Sequence, residues 1–240
     1  MNSLSSTTNS AKAHEMASAE QSKYSLNVTL NSDSFFGFYP FFSGAYHLTD
    51  SADFTFYGIQ WSGGTGINWG NWTEFGVGGA FALSHGFSIT PQLGLLNGSL
   101  TSANTHPRAL EGLVPNLTVK LNQDLVEGEF YMGLYYGFKG NQDKSNNYLH
   151  SWLNAGFKAT SFFSVGGHVE NLRYLGGQNQ RANASYNYYW ALAPYVQFAD
   201  PKGGSFVRFL AGPDLRDTGD RTESGWMAHS FYKLIVGMNF

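Results

Sequence analysis

The chain lacks cysteine and carries few charges. None of its 240 residues is cysteine, and Asp, Glu, Lys and Arg together make up 13%, against roughly 25% in a typical soluble domain. Without thiols, disulfide frameworks, thiolate metal sites and cysteine nucleophiles are all excluded. With so few charged side chains, the surface is poorly suited to water.

Long apolar runs and basic clusters are also missing. No stretch approaches the ~18 to 20 consecutive apolar residues that a membrane-spanning helix needs, which excludes a helical membrane protein. The 14 Lys and Arg residues are outnumbered by 17 Asp and Glu residues and are scattered along the chain. A nucleic-acid partner is therefore not expected, because its electrostatic footprint is absent.

What the chain does have is an aromatic content of 17%, with 29 glycines, and a period of two. Residues 24–31, 126–138 and 186–198 alternate apolar with mainly polar side chains, which is the pattern of β-strands. In the last of these stretches, Tyr188 falls on the same apolar face as Trp190. One face of each predicted strand is apolar, and the other is polar but crowded with side chains.

Gly, Asn, Asp, Ser and Pro clusters separate these stretches and divide the chain into strands. We predict twelve strands, near 24–31, 36–48, 53–63, 71–83, 87–101, 114–122, 125–140, 147–159, 162–176, 184–199, 205–217 and 226–240. Most are longer than the ~5 to 6 residues usual in soluble domains and reach the ~9 to 11 needed to cross a bilayer at a tilt.

The predicted connections alternate in length. Short ones such as SHG (84–86) and NQD (122–124) alternate with long ones such as SGGTGINWGN (62–71). This alternation predicts an all-β fold, a single antiparallel up-and-down transmembrane barrel over residues 23–240. The first connection, around Ser32 to Ser34, breaks the rule because it is as short as a turn. Residues 1–22 form a polar extension, either a short helix or disordered, that could plug the barrel.

The last ten residues, FYKLIVGMNF, place apolar side chains at alternate positions and end on an aromatic. These positions are Tyr232, Leu234, Val236, Met238 and Phe240. In this the chain resembles bacterial outer-membrane β-barrel proteins. The resemblance implies a bacterial outer-membrane location, lipid and lipopolysaccharide surroundings, short periplasmic turns, longer extracellular loops, and a last strand read by the barrel-assembly machinery. A monomer is expected.

If the face of Phe240 meets lipid, the alternate polar residues face the lumen. The predicted lumen-lining residues are Glu74, Lys120, Glu127, Glu129, Tyr131, Lys139, His150, Trp152, Lys158, His168, Glu170 and Arg208. Their charges nearly balance, so strong ion selectivity is not expected. The aromatic residues among them either pack a narrow lumen or contact a solute. Twelve strands enclose an intermediate width, which predicts a narrow and partly obstructed pore.

No catalytic constellation stands out from the residue spacings. His150 and Ser151 are adjacent on a predicted strand and therefore point to opposite faces, as do His229 and Ser230. The spacing of Glu127 with Glu129, or His168 with Glu170, is that of any polar row in a lumen. No HExxH motif occurs, and neither a metal site nor a cofactor is expected.

The sequence therefore predicts an outer-membrane channel for passive diffusion of a small hydrophilic solute through a narrow, mixed-charge lumen. A non-conducting structural or interaction barrel, plugged by paired charges and by residues 1–22, is the alternative. An outer-membrane hydrolase is the third and least favoured hypothesis.

Overall fold

The computed structural model describes residues 23–61, 72–101, 107–138, 145–177, 185–215 and 230–240. Over these ranges the chain is almost entirely extended. The strands are β1 (Tyr24–Asp33), β2 (Gly37–Thr49), β3 (Ala52–Trp61), β4 (Trp72–Ala82), β5 (Phe87–Gly98), β6 (Arg108–Asn122), β7 (Val126–Gly137), β8 (Asn146–Lys158), β9 (Phe163–Gly177), β10 (Tyr186–Ala199), β11 (Ser205–Pro213) and β12 (Ser230–Asn239).

Each strand pairs antiparallel with its neighbours in sequence, and the last strand pairs with the first. Between β12 and β1 the register runs from Asn27 opposite Asn239 to Asp33 opposite Lys233, which closes the barrel. Phe240 extends this seam, because its N–H donates to the Leu26 carbonyl oxygen at 2.8 Å. Among the described strands, closure therefore leaves no sheet edge without a partner strand. The predicted twelve-stranded up-and-down barrel is confirmed.

The outer surface of the barrel is apolar. Phe42, Phe157 and Tyr232 are each about half exposed, Leu234 is 41% exposed and Phe240 is 74% exposed. A continuous apolar surface of this kind is unfavourable in water and matches the lipid-facing band of outer-membrane barrels. The barrel therefore spans a lipid bilayer, and the predicted outer-membrane location is confirmed. No helix among the described residues is long and apolar enough to cross a membrane.

The predicted strand boundaries agree within a few residues, except at β6. The prediction started this strand at residue 114, whereas it begins at Arg108. Leu110 adopts a positive φ of 55°, and its N–H donates to Asn97 Oδ1 at 2.9 Å, beside a register shift between β5 and β6. The irregularity breaks the period of two, so the sequence pattern resembles a loop there. Predicted strand ends at 62–63, 71, 139–140, 184, 216–217 and 226–229 lie outside the described residues.

The two rims of the barrel differ in how their strands are joined. Residues 50–51, 83–86, 123–125, 159–162 and 200–204 make the connections at one rim, and such short turns mark the periplasmic side. On the opposite, extracellular side of the barrel, the first connection is a three-residue turn, Ser34–Phe36. This turn is as short as the sequence predicted. It joins β1, which ends at Asp33, to β2, which begins at Gly37.

Inside the barrel, glycines make room for tyrosine rings. The Tyr195 side chain lies across Gly156 and Gly166, so that a Cβ at Gly166 would press on the ring and on the Ala155 carbonyl oxygen. The next residue, Gly167, faces outward, where a Cβ would meet nothing within 4 Å. Gly166 and Gly167 therefore lie on the same strand, but only Gly166 lacks space for a Cβ atom.

The substitution Gly166→Ala is expected to destabilise the barrel by about 1–3 kcal/mol, because backbone on one side and a packed ring on the other leave no room to relax. The matched Gly167→Ala variant should be as stable as the native barrel. Urea unfolding in detergent micelles, followed by tryptophan fluorescence, measures both. Equal losses in the two variants would show that close packing under Tyr195 is not the cause.

Candidate functional site

The tip of the β1–β2 hairpin folds into the lumen instead of lying on the rim. Asp33 Oδ1 accepts hydrogen bonds from the backbone N–H groups of Phe35, at 2.9 Å, and Phe36, at 2.5 Å. This turn directs both phenyl rings inward. The Phe36 ring lies 4.5 Å from Trp61 on β3, and the Phe35 ring lies 4.7 Å from Tyr189 on β10. The tip therefore bridges two separate parts of the barrel wall.

Wall aromatics pack around this tip. The Tyr39 ring stacks on Trp61 at 4.4 Å between centroids, and Trp61 stacks on Trp72 at 5.6 Å. The His150 ring lies 5.6 Å from Phe36. We call this set the aromatic layer; its members are Phe35, Phe36, Tyr39, Trp61, Trp72 and Tyr189. Five of the six rings, all but Phe35, are at most 5% exposed, so the layer is densely packed.

A buried ionic cluster lies against the aromatic layer, centred on Glu170 of β9. Glu170 Oε1 accepts from the Tyr189 hydroxyl at 2.8 Å and lies 2.9 Å from His150 Nε2. Glu170 Oε2 accepts from Lys233 Nζ at 3.0 Å and lies 3.0 Å from His168 Nε2. Glu170 is 0% exposed. A buried carboxylate needs this degree of pairing, because burial removes its hydration.

Lys233 joins the ionic cluster to the hairpin tip. Its ammonium lies 3.0 Å from Glu170 and 3.9 Å from Asp33 Oδ2, and its side chain is only 7% exposed. The same ammonium lies 5.7 Å from the centres of the Tyr39 and Trp152 rings, a cation–π distance. We define the ionic cluster as Asp33, His150, His168, Glu170 and Lys233, and the diaphragm as the aromatic layer together with this cluster.

Two cavities lie on opposite sides of the diaphragm. The extracellular cavity, of about 430 Å³, is mainly aromatic. The periplasmic cavity, of about 490 Å³, has a larger share of polar and charged side chains in its lining. Three residues line both cavities, namely Trp61, Tyr135 and His150. The lumen is thus two chambers that meet at the diaphragm.

Mixed charges line the periplasmic cavity. Lys120 Nζ lies 3.6 Å from Glu129 Oε2, and Glu129 Oε1 accepts from Trp152 Nε1 at 2.9 Å. The Tyr131 ring stacks on Trp152 with centroids 3.9 Å apart. His168 and Arg208 line the same cavity.

A second group of charges lies lower in the lumen, around Glu127. Glu127 Oε1 accepts from the Tyr195 hydroxyl at 2.7 Å and lies 3.8 Å from Arg208. The Arg208 guanidinium lies 4.6 Å from the centre of the Tyr195 ring and donates to Gln197 Oε1 at 2.9 Å. Glu127 therefore has nearby hydrogen-bond donors, and Arg208 has a hydrogen-bond acceptor in Gln197.

Of the twelve predicted lumen residues, Glu127 and Glu170 make the contacts described above without lining either cavity, and three more lie elsewhere or outside the described residues. Glu74 is 1% exposed and accepts a hydrogen bond from the Tyr57 hydroxyl, within the wall packing. Lys158 lies at the periplasmic rim, where its ammonium donates to the Gln123 carbonyl oxygen at 2.7 Å. Lys139 lies outside the described residues. On β12, Val236 and Met238 are partly buried on the outer face.

Sequence reasoning missed Phe35, Phe36 and Tyr188. The prediction began the second strand near residue 36 and gave Phe35 and Phe36 no place in the lumen, although Asp33, in the stretch SDSFF, is a turn-forming residue. Tyr188 was placed on the outer face, which is wrong. A register shift between Asn187 and Tyr189 turns it inward, where it lines the extracellular cavity and its ring lies 6.0 Å from that of Phe35.

The best catalytic candidates of the sequence are enclosed or separated. His150 is buried in the lumen at 2% exposure, whereas the adjacent Ser151 lies on the outer face, so the two side chains do not meet. His168 and Glu170 are held within the ionic cluster, at 2% and 0% exposure. Within the described ranges, no group of three or more His, Cys, Asp or Glu side chains is arranged to hold a metal ion.

A closed antiparallel barrel with an apolar exterior and a polar interior is an outer-membrane β-barrel. This chain belongs to a family of unknown function, DUF6733, whose model matches residues 2–240. No curated protein matches the sequence.

Several solved structures are similar to this chain at low sequence identity. The NanC porin is 10% identical, with a TM-score of 0.52 over 90% of this chain and 98% of that one. The KdgM porin in complex with disordered oligogalacturonate is 12% identical, with a TM-score of 0.47 over 90% and 99%. LpxR from Salmonella typhimurium is 9% identical, with a TM-score of 0.47 over 89% and 99%. The likeness to the NanC porin is one of fold.

Proposed function

We propose that the protein is a narrow outer-membrane channel for small hydrophilic solutes, closed at rest by the diaphragm. One observation carries this proposal: two cavities lie in line through the barrel and share Trp61, Tyr135 and His150 as lining residues. A barrel evolved only as a rigid scaffold has no need of chambers on both sides. The diaphragm lies between the two cavities, which is the position expected of a gate.

The balanced charges support weak ionic selectivity. Lys120 lies 3.6 Å from Glu129 on the neighbouring strand, and Arg208 lies 3.8 Å from Glu127, so each of these cations is paired with a carboxylate. Such a lining screens a passing ion of either sign equally. An uncharged or weakly charged polar solute fits this lumen best.

The hairpin tip is the part of the diaphragm that can move. The wall strands are held by long ladders of backbone pairing, whereas Ser34–Phe36 is a three-residue turn. Asp33 organises this turn, and its remaining oxygen lies 3.9 Å from Lys233, beyond hydrogen-bond distance. Displacing the tip would leave the barrel wall intact while joining the two cavities.

Recordings from the purified, folded barrel in planar lipid bilayers test this function. We expect discrete conductance steps, smaller than those of 16- to 18-stranded porins, with little preference for cations over anions. A folded barrel that never shows a step, in the native form or with the diaphragm weakened, would remove the channel proposal.

The second candidate is a non-conducting barrel that serves as a structural or interaction protein. The complete burial of Glu170, at 0% exposure, favours it, because the ionic cluster fills the lumen with paired charges. Under this hypothesis the planar bilayer remains silent even when the hairpin tip is truncated, which separates the two candidates.

A further inference from the structure

The periplasmic cavity presents an aromatic pair and a charged pair side by side on one part of its wall. The aromatic pair is Tyr131 and Trp152, which face each other across β7 and β8 and stack with centroids 3.9 Å apart. The charged pair, Lys120 and Glu129, lies one step nearer the periplasm, across β6 and β7. All four side chains line the cavity. Because side chains two residues apart along a strand are about 7 Å apart, one small solute can contact both pairs.

The charged pair is accessible from the lumen. The Lys120 side chain is 60% exposed and the Glu129 side chain is 31% exposed, and their nearest charged atoms lie 3.6 Å apart. That distance is longer than a direct hydrogen bond. An ammonium group donates three hydrogen bonds, and each carboxylate oxygen accepts about two. The pair therefore keeps donors and acceptors for a ligand.

A vicinal diol matches this combination of groups. Its hydroxyl groups lie on neighbouring carbon atoms, so one can donate to the Glu129 carboxylate while the other accepts from the Lys120 ammonium. Hydrogen bonds to charged groups are stronger than neutral ones, which offsets the water that the diol gives up. Further hydroxyl groups on the same ring need polar partners, and the lining offers carboxamide and hydroxyl side chains such as Gln92 and Thr118.

The aromatic pair supplies the apolar side of such a site. A pyranose ring carries C–H groups on its faces and hydroxyl groups at its rim, and its C–H groups pack against aromatic rings. Trp152 is partly exposed, and its indole N–H donates to Glu129 Oε1 at 2.9 Å. The apolar and the charged parts of the site therefore meet at the Glu129 carboxylate.

The charged pair also favours an uncharged ligand over an ionic one. A ligand carboxylate drawn to Lys120 would lie beside Glu129, and a ligand ammonium drawn to Glu129 would lie beside Lys120. At such similar separations, attraction to one partner and repulsion from the other nearly cancel. The ionic ligand would still lose part of its hydration, so it gains less than a neutral diol does.

We propose that the periplasmic cavity is a binding site for one uncharged monosaccharide in its pyranose form. A vicinal diol of the sugar lies between Lys120 and Glu129, and its ring lies against Trp152. As the solute class of the channel, this assignment rests on the proposed function, whereas the binding itself does not require conduction.

Titration with D-glucose, followed by NMR, tests the site in the full-length barrel labelled with ¹⁵N-tryptophan. The micelles are of lauryldimethylamine oxide, a detergent without a sugar headgroup. We expect a saturable shift of the Trp152 indole N–H resonance, because that N–H shares Glu129 with the ligand. The resonance of Trp190, which is 45% exposed on the outer face, should stay in place. Trp152→Phe identifies the Trp152 resonance by its loss. Cyclohexanol, with a six-membered ring and no vicinal diol, should leave both resonances unchanged.

Two substitutions separate the roles of the charged pair. Lys120→Met should weaken glucose binding roughly tenfold, as expected for losing one hydrogen bond to a charged group. The matched Lys202→Met variant, altered in the exposed periplasmic turn at residues 200–204, should bind glucose as the native barrel does. Glu129→Gln should weaken glucose binding and strengthen that of glucuronate, because Lys120 then lacks its nearby carboxylate.

Several results would overturn the proposal. They are an unshifted Trp152 resonance with glucose, an equal shift with cyclohexanol, tighter binding of glucuronate than of glucose by the native barrel, and native binding by Lys120→Met. Because the titration needs no current, failure of the site and failure of the channel are separate results. A barrel that binds glucose but never conducts would refute the channel and leave the site standing, and a conducting barrel that ignores glucose would do the reverse.

Discussion

Replacing Lys233 by methionine should lower the free energy of unfolding by about 3–5 kcal/mol, the cost of breaking a buried ion pair by removing one partner. The substitution leaves Glu170, at 0% exposure, and Asp33, at 3% exposure, without the cation that lies 3.0 Å and 3.9 Å from them. His150 and His168 continue to contact Glu170, but the Asp33 carboxylate loses its nearest positive charge. Methionine approximates the length of the lysine side chain, so the change isolates the charge.

Urea unfolding in micelles measures this loss, and Lys120→Met is the matched control. The Lys120 side chain is 60% exposed and lies 3.6 Å from Glu129, a geometry worth about 0–1 kcal/mol. The double variant Lys233→Met with Glu170→Gln should recover part of the stability, because it also removes the unpaired charge. If Lys233→Met is no worse than Lys120→Met, the ionic cluster does not hold the lumen together.

Truncating the hairpin tip by the double substitution Phe35→Ala and Phe36→Ala should increase single-channel conductance at least about twofold, because the narrowest section of a pore dominates its resistance. The Phe36 ring lies 4.5 Å from Trp61 and the Phe35 ring 4.7 Å from Tyr189. Removing both rings takes away the contacts that span the lumen. The ladders of the wall strands are unaffected, so the barrel should still fold.

The matched control is Phe42→Ala with Phe75→Ala, two rings about half exposed on the outer surface. These substitutions remove the same number of phenyl rings from the lipid-facing side and should leave conductance unchanged. Heat-modified migration on a gel confirms that both double variants are folded. A folded tip variant with native conductance would place the block elsewhere in the diaphragm, and a silent one would favour the non-conducting barrel.

The alternation of side chains was enough to predict the barrel and most of its two faces. On β7, Met132 and Leu134 lie outside while Tyr131 and Tyr135 lie inside, as the period of two indicates. That success has a simple cause, since lipid on one side and a packed lumen on the other impose opposite demands on neighbouring residues.

The diaphragm could not be predicted in the same way, because its contacts join distant strands. Glu170 and Lys233 are 63 residues apart in sequence, and only the tilt and stagger of the closed sheet bring them to one level. The inward turn of Tyr188 depends on a local register shift, for which the sequence shows no marker. The lipopolysaccharide contacts, the assembly partner and the monomeric state remain predictions of the sequence resemblance.

The seam between β1 and β12 has a kinetic consequence. Asn27 and Asn239 are 212 residues apart, yet the Asn27 side-chain amide donates to Asn239 Oδ1 at 2.6 Å. Contacts of such long sequence separation form late and slowly, because the intervening chain must first be ordered. We therefore expect seam formation to limit the rate of folding. Until then two bare strand edges are open to pairing with other chains, so the interval before closure is when aggregation threatens the protein most.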